Sequence, residues 1–137
     1  MITISELNKL CQSTLIEHLG IEFTAVGKGT IEARMPVDNR TIQPMKRLHG
    51  GAVMALAETV GSAGSLLLVD ASSIAVYGTE ISGSHIGTTG DKYVIAKGKI
   101  IYQGKSSHVW EITVSDTNNN LISVCRMTNR LVPIKKD

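Results

Sequence analysis

Hydrophobic residues along the chain repeat with two different periods. From Ile4 they recur near helical spacing at Leu7, Leu10, Cys11, Leu15 and Leu19, which predicts one short amphipathic helix stopped at Gly20. Thr3 with Glu6 three residues later has the form of a capping box at its start. From Ile21 to Val26 and from Thr30 to Val37 the period is two, reading as a hairpin around Gly27-Lys28-Gly29 with Ile31, Ala33, Met35 and Val37 inward. Asp38-Asn39-Arg40 is turn chemistry, and Thr41 to Leu48 is an irregular approach to the next element. From Gly51 to about Leu67 small or apolar residues stand on almost every side, which predicts a helix buried all round.

Four strands should follow, over Ile74 to Ile86, Tyr93 to Gln103, Ser107 to Ser115 and Leu121 to Val132. The connections Gly87 to Asp91 and Asp116 to Asn120 are short, so successive strands are expected to be antiparallel neighbours. Strands of about ten residues exceed the usual length and suit a curved sheet wrapped around one long helix, an α+β domain spanning residues 1–137. A single sheet around a single helix leaves edge strands and one face exposed, so self-association is expected.

Composition narrows the function classes. A net charge of +2 with acids and bases interspersed lacks the clustered basic stripe of a nucleic-acid binder. Cys11 and Cys125 stand in no metal or redox spacing and read as free thiols of a reducing, cytoplasmic compartment. No pair of histidines has metal-ligand spacing, and no metal is expected. The first residues are too polar for a signal peptide, and no run is long enough for a membrane helix. Phosphate-loop, dinucleotide and Gly-x-Ser-x-Gly patterns are absent.

One charge interrupts the apolar helix: Glu58, between Ala57 and Thr59. A carboxylate withdrawn from water needs hydrogen-bond partners, a solvated crevice or a chemical task. Pro44 closes off any earlier helix, and Gly50 and Gly51 let a ligand approach where helical N–H groups are unpaired. Such a helix start stabilises the negative charge that an ester or thioester carbonyl acquires under attack. Gly50 and Glu58 lie about 12 Å apart along a helix, too far to act on one carbonyl within one chain. Ser62 shares a face with Glu58, one turn on, so Glu58 and Ser62 would belong to one protomer's half-site and Gln43, His49 and Gly50 to the other's.

Gln43, the run Leu48-His49-Gly50-Gly51 and the run Ala57-Glu58-Thr59-Val60-Gly61-Ser62 resemble the signature of the hotdog-fold acyl-CoA thioesterases. The branch they are most similar to comprises the 4-hydroxybenzoyl-CoA and 1,4-dihydroxy-2-naphthoyl-CoA thioesterases, with the phenylacetate-pathway thioesterases as cousins. The resemblance implies hydrolysis of an acyl-CoA, an aromatic one by preference, such as dihydroxynaphthoyl-CoA of menaquinone synthesis. It implies a dimer or dimer of dimers and no dissociable cofactor, CoA being part of the substrate.

Residue by residue, the resemblance makes Glu58 the nucleophile or general base, Gly50 the oxyanion donor and Gln43 the carbonyl's orienting amide. His49 would help hold the carbonyl or water, and Ser62 would assist the carboxylate. Gly51, Val60, Ala63, Ser84 and His85 would meet the acyl or pantetheine part, and Lys105 with Ser106 the CoA phosphates. The chain departs from the family's pattern at Gly87 and Lys105, where relatives tend to carry Arg, and at Ser84, where they carry an Asn-like residue. Lys is a point charge and not a bidentate fork, which leaves a carrier protein open as the acyl donor. Lys46 and Arg47 are further candidate cations, and His108 reads as outward-facing with no role. Two alternatives share the fold: a hydroxyacyl-thioester dehydratase, which would want a proline that His49-Gly50-Gly51 lacks, and a non-catalytic acyl-binding module.

Overall fold

A computed structural model describes residues 2–137. Both halves of the capping box form: the Thr3 hydroxyl accepts the Glu6 N–H at 3.1 Å, and the Glu6 carboxylate accepts the Thr3 N–H at 2.7 Å. The amphipathic run beyond them is not the single helix expected. It divides into α1 (Ile4–Leu10) and α2 (Leu15–His18) at Ser13, whose φ is 61°. Hydroxyls offer the backbone an alternative to continued helix, and the Thr14 hydroxyl takes the Ile16 N–H and caps the second piece.

β1 (Glu22–Gly27) and β2 (Thr30–Pro36) make the expected hairpin, with Gly29 at φ 68° in its turn. Ile31, Ala33 and Met35 are buried, and Val37 packs at the margin of the core. The long helix is α3 (Gly50–Leu66), followed by β3 (Ile74–His85), β4 (Tyr93–Gln103), β5 (Ser107–Asp116) and β6 (Leu121–Pro133). All six strands form one antiparallel sheet in the order β1-β2-β4-β5-β6-β3, and α3 packs against five of them. This is the α+β hotdog arrangement, a curved sheet folded around one helix.

Three expectations need correction. Successive strands are neighbours for β4, β5 and β6, but β3 and β4 do not pair. The two tight turns of the β4-β5-β6 meander occupy both sides of β5, so β3 finds a partner only at the free edge of β6. The helix is not buried all round within a protomer. Ala52, Val53, Leu56, Ala57, Val60, Gly61, Gly64 and Ser65 face the sheet, whereas Gly51 and Glu58 are exposed. Finally, His108 faces inward and is 2% exposed. It shares the parity of Trp110, Ile112 and Val114 on β5, and the period of two carries it to the same side as those residues.

The sheet's two edges are finished differently. On β1 the Asn8 side chain acts as a strand partner: its Oδ1 accepts the Phe23 N–H at 2.8 Å and its Nδ2 donates to the Phe23 carbonyl at 3.0 Å. Long β3 has no such cover among the described residues, and most of its residues are exposed.

Candidate active site

His49 stands at the N-cap of α3 in extended conformation, and its Nδ1 accepts the Gly51 N–H at 2.8 Å. That leaves the Gly50 N–H at the mouth of the helix with no acceptor among the described residues. The preceding loop is closed by an Ile42–Leu48 bridge and by the His49 N–H on the Thr41 carbonyl at 2.8 Å. Inside it Gln43 donates its N–H to Arg47 O and accepts from the Lys46 N–H, both at 2.8 Å. The Gln43 side-chain oxygen is turned back onto the Met45 N–H, so the amide nitrogen is what this side chain can offer a ligand.

His85, at the end of β3, lies over the same helix start. A Cβ added to Gly50 would stand 2.9 Å from His85 Nε2, and His85 Nδ1 pairs with Ser123 Oγ at 2.7 Å. Gln43, Gly50 and His85 thereby share a cavity of about 310 Å³ with Leu48 and Val53. Ser84 is exposed beside His85.

Glu58, two turns along α3, opens onto a different cavity, of about 670 Å³. Ser62 and Ala63 line it too, and its far wall is aliphatic, built from Leu10 and Leu15 of the N-terminal helices and Val76 of β3. The carboxylate lies against β3, where a Cβ added to Gly78 would stand 2.8 Å from Glu58 Oε1. β3 is irregular at this point: Gly78 pairs with Asn129 and Glu80 with Thr128, leaving Thr79 between them as a bulge.

One protomer thus brings Gln43, His49, Gly50 and His85 together, and separately Glu58, Ser62 and Ala63. It does not join the two groups. Val60, expected beside Ala63, is turned into the core, where its Cγ1 stands against Gly98 of β4. Residues 60 and 63 are about one turn apart, and the boundary between the sheet-facing side of the helix and the cavity side falls between them. Lys105 and Ser106 are exposed on the β4–β5 turn. β6 pairs Arg130 with Ser107 there and Ser123 with His85 at the other end, about 23 Å away, so they are remote from Ser84 and His85 of the same chain.

Sequence reading missed a buried polar cluster behind Glu58. Ser65 Oγ meets Trp110 Nε1 at 2.8 Å, Asn129 Nδ2 at 2.8 Å and His108 Nδ1 at 2.9 Å. Trp110 and Asn129 are donors and fill the hydroxyl's two lone pairs, so its own proton goes to His108 Nδ1 and that ring is neutral. Burial likewise pushes the His108 pKa down. The second Asn129 N–H reaches Gly61 O at 3.0 Å, which fixes the amide and leaves Asn129 Oδ1 buried without a partner. The available signal was parity: Asn129 alternates with Cys125, Met127 and Leu131, all core residues.

Among the described residues no group of His, Cys, Asp and Glu is disposed to hold a metal ion, and no helix is long and apolar enough to cross a membrane. Both cysteines are buried free thiols whose pKa burial pushes up.

Comparison with known proteins shows the family. Residues 45–123 match the thioesterase superfamily. The proofreading thioesterase EntH of Cronobacter turicensis is 42% identical over 132 residues, covering 96% of this chain and 95% of that protein. The crystal structure of thioesterase HI1161 from Haemophilus influenzae superposes with a TM-score of 0.95 at 38% identity, covering 99% of this chain and 94% of that one. SAV0944 of Staphylococcus aureus superposes with a TM-score of 0.85 at 37% identity, covering 88% of this chain and 99% of that one. It has been solved with alanine in place of a glutamate, and separately in place of a glutamine, at the separation that divides Gln43 from Glu58 here. The fold is that of the thioester hydrolases it resembles, and the chain belongs to the thioesterase superfamily.

Proposed function

We propose that the protein hydrolyses an acyl-CoA, preferring an aromatic acyl group, at a site completed by two chains. Glu58 and Ser62 come from one chain, and Gln43, His49 and Gly50 from the other. The observation that carries this reading is the division of one helix between two cavities: an unpaired Gly50 N–H opens into one and an exposed Glu58 carboxylate into the other. Neither cavity holds both the Gly50 N–H and the Glu58 carboxylate. A second copy docked along the open β3 edge would lay its α3 antiparallel to the first, so that each Gly50 approaches the other chain's Glu58. The paired glutamine and glutamate variants of SAV0944 lend support, since Gln43 and Glu58 are residues of the same type at the same separation.

In that site the thioester carbonyl oxygen accepts the Gly50 N–H, where the helix start favours the charge that builds as the carbon turns tetrahedral. The Gln43 amide nitrogen and His49 orient it. Glu58 takes the proton of an attacking water, the C–S bond breaks, and the CoA thiolate leaves with that proton. Attack by the carboxylate itself, through an anhydride that water then opens, uses the same groups. Ser62 hydrogen-bonds the carboxylate, and Ala63 with Gly51 leaves room for a flat ring. Ser84 and His85 border the acyl or pantetheine part, and Lys105 with Ser106 faces the phosphates. No dissociable cofactor takes part.

Hydrolysis of benzoyl-, naphthoyl-, phenylacetyl- and short aliphatic CoA esters by wild type and Glu58→Gln tests this reading. The expected result is a kcat lower by about 10²- to 10⁴-fold in the variant, with KM little changed and the aryl esters turned over fastest. A Glu58→Gln protein with wild-type kcat on its best ester would refute it.

A further inference from the structure

Ser123 is a fully buried residue of β6, and among the described residues its hydroxyl has one partner, His85 Nδ1 at 2.7 Å. The two residues stand opposite each other in the β3–β6 ladder, so the sheet's register holds them together. A hydroxyl shut away from water needs an acceptor for its proton, and Nδ1 is the acceptor present. Nδ1 is therefore the bare nitrogen of the neutral ring, and Nε2 carries the hydrogen. The other tautomer, or the ring turned over, would leave the buried O–H unpaired. Nε2 lies across the ring from Ser123, at the start of α3: a Cβ added to Gly50 would stand 2.9 Å from it. Such a Cβ is about 2.5 Å from its own residue's nitrogen, so the Gly50 nitrogen and His85 Nε2 are no more than about 5.4 Å apart. Two N–H donors, each about 3 Å from one oxygen, can share it at separations up to about 6 Å. Gly50 and His85 both line the cavity of about 310 Å³, which supplies the room for that oxygen.

We infer that His85 is a second oxyanion donor in hydrolysis, its Nε2–H sharing the thioester oxygen with the Gly50 N–H, and that Ser123 is the positioning residue that holds the ring in this tautomer. This rests on the reading of Gly50 given above and gives His85 a task beyond bordering the acyl or pantetheine part. As the carbonyl carbon turns tetrahedral its oxygen gains charge, and a donor fixed in advance stabilises that charge without reorganising. His85 donates a hydrogen bond and keeps its proton. No bond to its nitrogen forms or breaks, and the oxygen returns to a carbonyl as the C–S bond breaks. The proton of the attacking water goes to Glu58 as before. Glycine at position 50 belongs to the same arrangement, since a side chain there would press on the ring and push it off the helix start.

The test compares His85→Phe, which keeps a ring and removes the donor, with His85→Gln, which keeps an N–H, and with Ser123→Ala, each assayed on benzoyl-CoA. We expect kcat of His85→Phe to fall by about 10²- to 10³-fold, as on removal of one preformed oxyanion donor, with KM within about threefold of wild type. His85→Gln should keep roughly tenfold more kcat than His85→Phe, because an amide N–H can still reach the oxygen. Ser123→Ala should lose about three- to tenfold in kcat at unchanged KM, because its ring is no longer held in place. A folded His85→Phe with wild-type kcat overturns the inference. So does one whose KM rises while kcat holds, which is what a pantetheine contact alone would give. Unchanged kcat in Ser123→Ala overturns its positioning role. Nitrogen-15 NMR of the wild type above about pH 8, where imidazoles are neutral, reads the tautomer directly, the His85 signals being those lost in His85→Gln. Hydrogen on Nε2 is expected, and hydrogen on Nδ1 overturns the inference. If Glu58→Gln is inactive while His85→Phe hydrolyses normally, this inference alone fails. If Glu58→Gln is fully active, the reading beneath it fails first.

Discussion

Replacing Ser65 by Ala should destabilise the protein far more than the loss of one surface hydroxyl would. The hydroxyl is fully buried and answers three neighbours at 2.8–2.9 Å. Without it the Trp110 N–H and one Asn129 N–H remain in the core with no acceptor, at about 1–3 kcal/mol each, so a loss of about 2–6 kcal/mol is expected. His108 adds a pH signature. Its pKa is lowered by burial, so between its folded and unfolded values the unfolded chain binds more protons and stability rises with pH. Wild-type stability should therefore be complete above about pH 6.5 and decline as pH falls below it. Protonation at Nδ1 also ends the Ser65–His108 bond, so the gap between wild type and Ser65→Ala should narrow on acidification. Urea unfolding followed through Trp110, the single tryptophan, at fixed protein concentration reads both effects. A loss under about 1 kcal/mol at pH 7.5 would refute the proton assignment and the cluster's role with it.

Three further outcomes are expected. Gly64→Ala should lower stability by about 1–3 kcal/mol in thermal unfolding, because its Cβ would sit 2.5 Å from Trp110 Cη2 and the indole is tethered to Ser65; an unchanged Tm would contradict this packing. Cys11 and Cys125, buried and with raised pKa, should react with a thiol reagent only at the rate of unfolding, and prompt modification of the native protein would count against their placement. Co-refolding Glu58→Gln with Gln43→Ala chains should restore about a quarter of wild-type activity, since half of the dimers would be mixed and carry one intact site of two. No recovery would place both residues in one chain's site.

The strands, the hairpin, the capping box and the long helix were legible because each is set by local periodicity or by contacts a few residues apart. The distance from Gly50 to Glu58 was equally legible, because helical rise is independent of what surrounds the helix. Parity along β6 already carried Asn129 inward, but nothing local says what a buried amide meets. Its partners Gly61, Ser65 and Gly78 come from other elements. The break at Ser13 was missed because an αL residue and a hydroxyl cap prevailed over an apolar period that ran on through them.

By itself, then, the sequence determined the long helix, the hairpin and the strands, and that Gly50 and Glu58 stand about 12 Å apart along one helix, since these follow from backbone periods. Only the tertiary structure decided that β3 closes on β6, that Val60 and His108 belong to the core, and that Asn129 Oδ1 is left without a partner beside Gly78. Those outcomes depend on pairings between segments far apart in the chain, and register across a sheet is settled by the whole sheet at once.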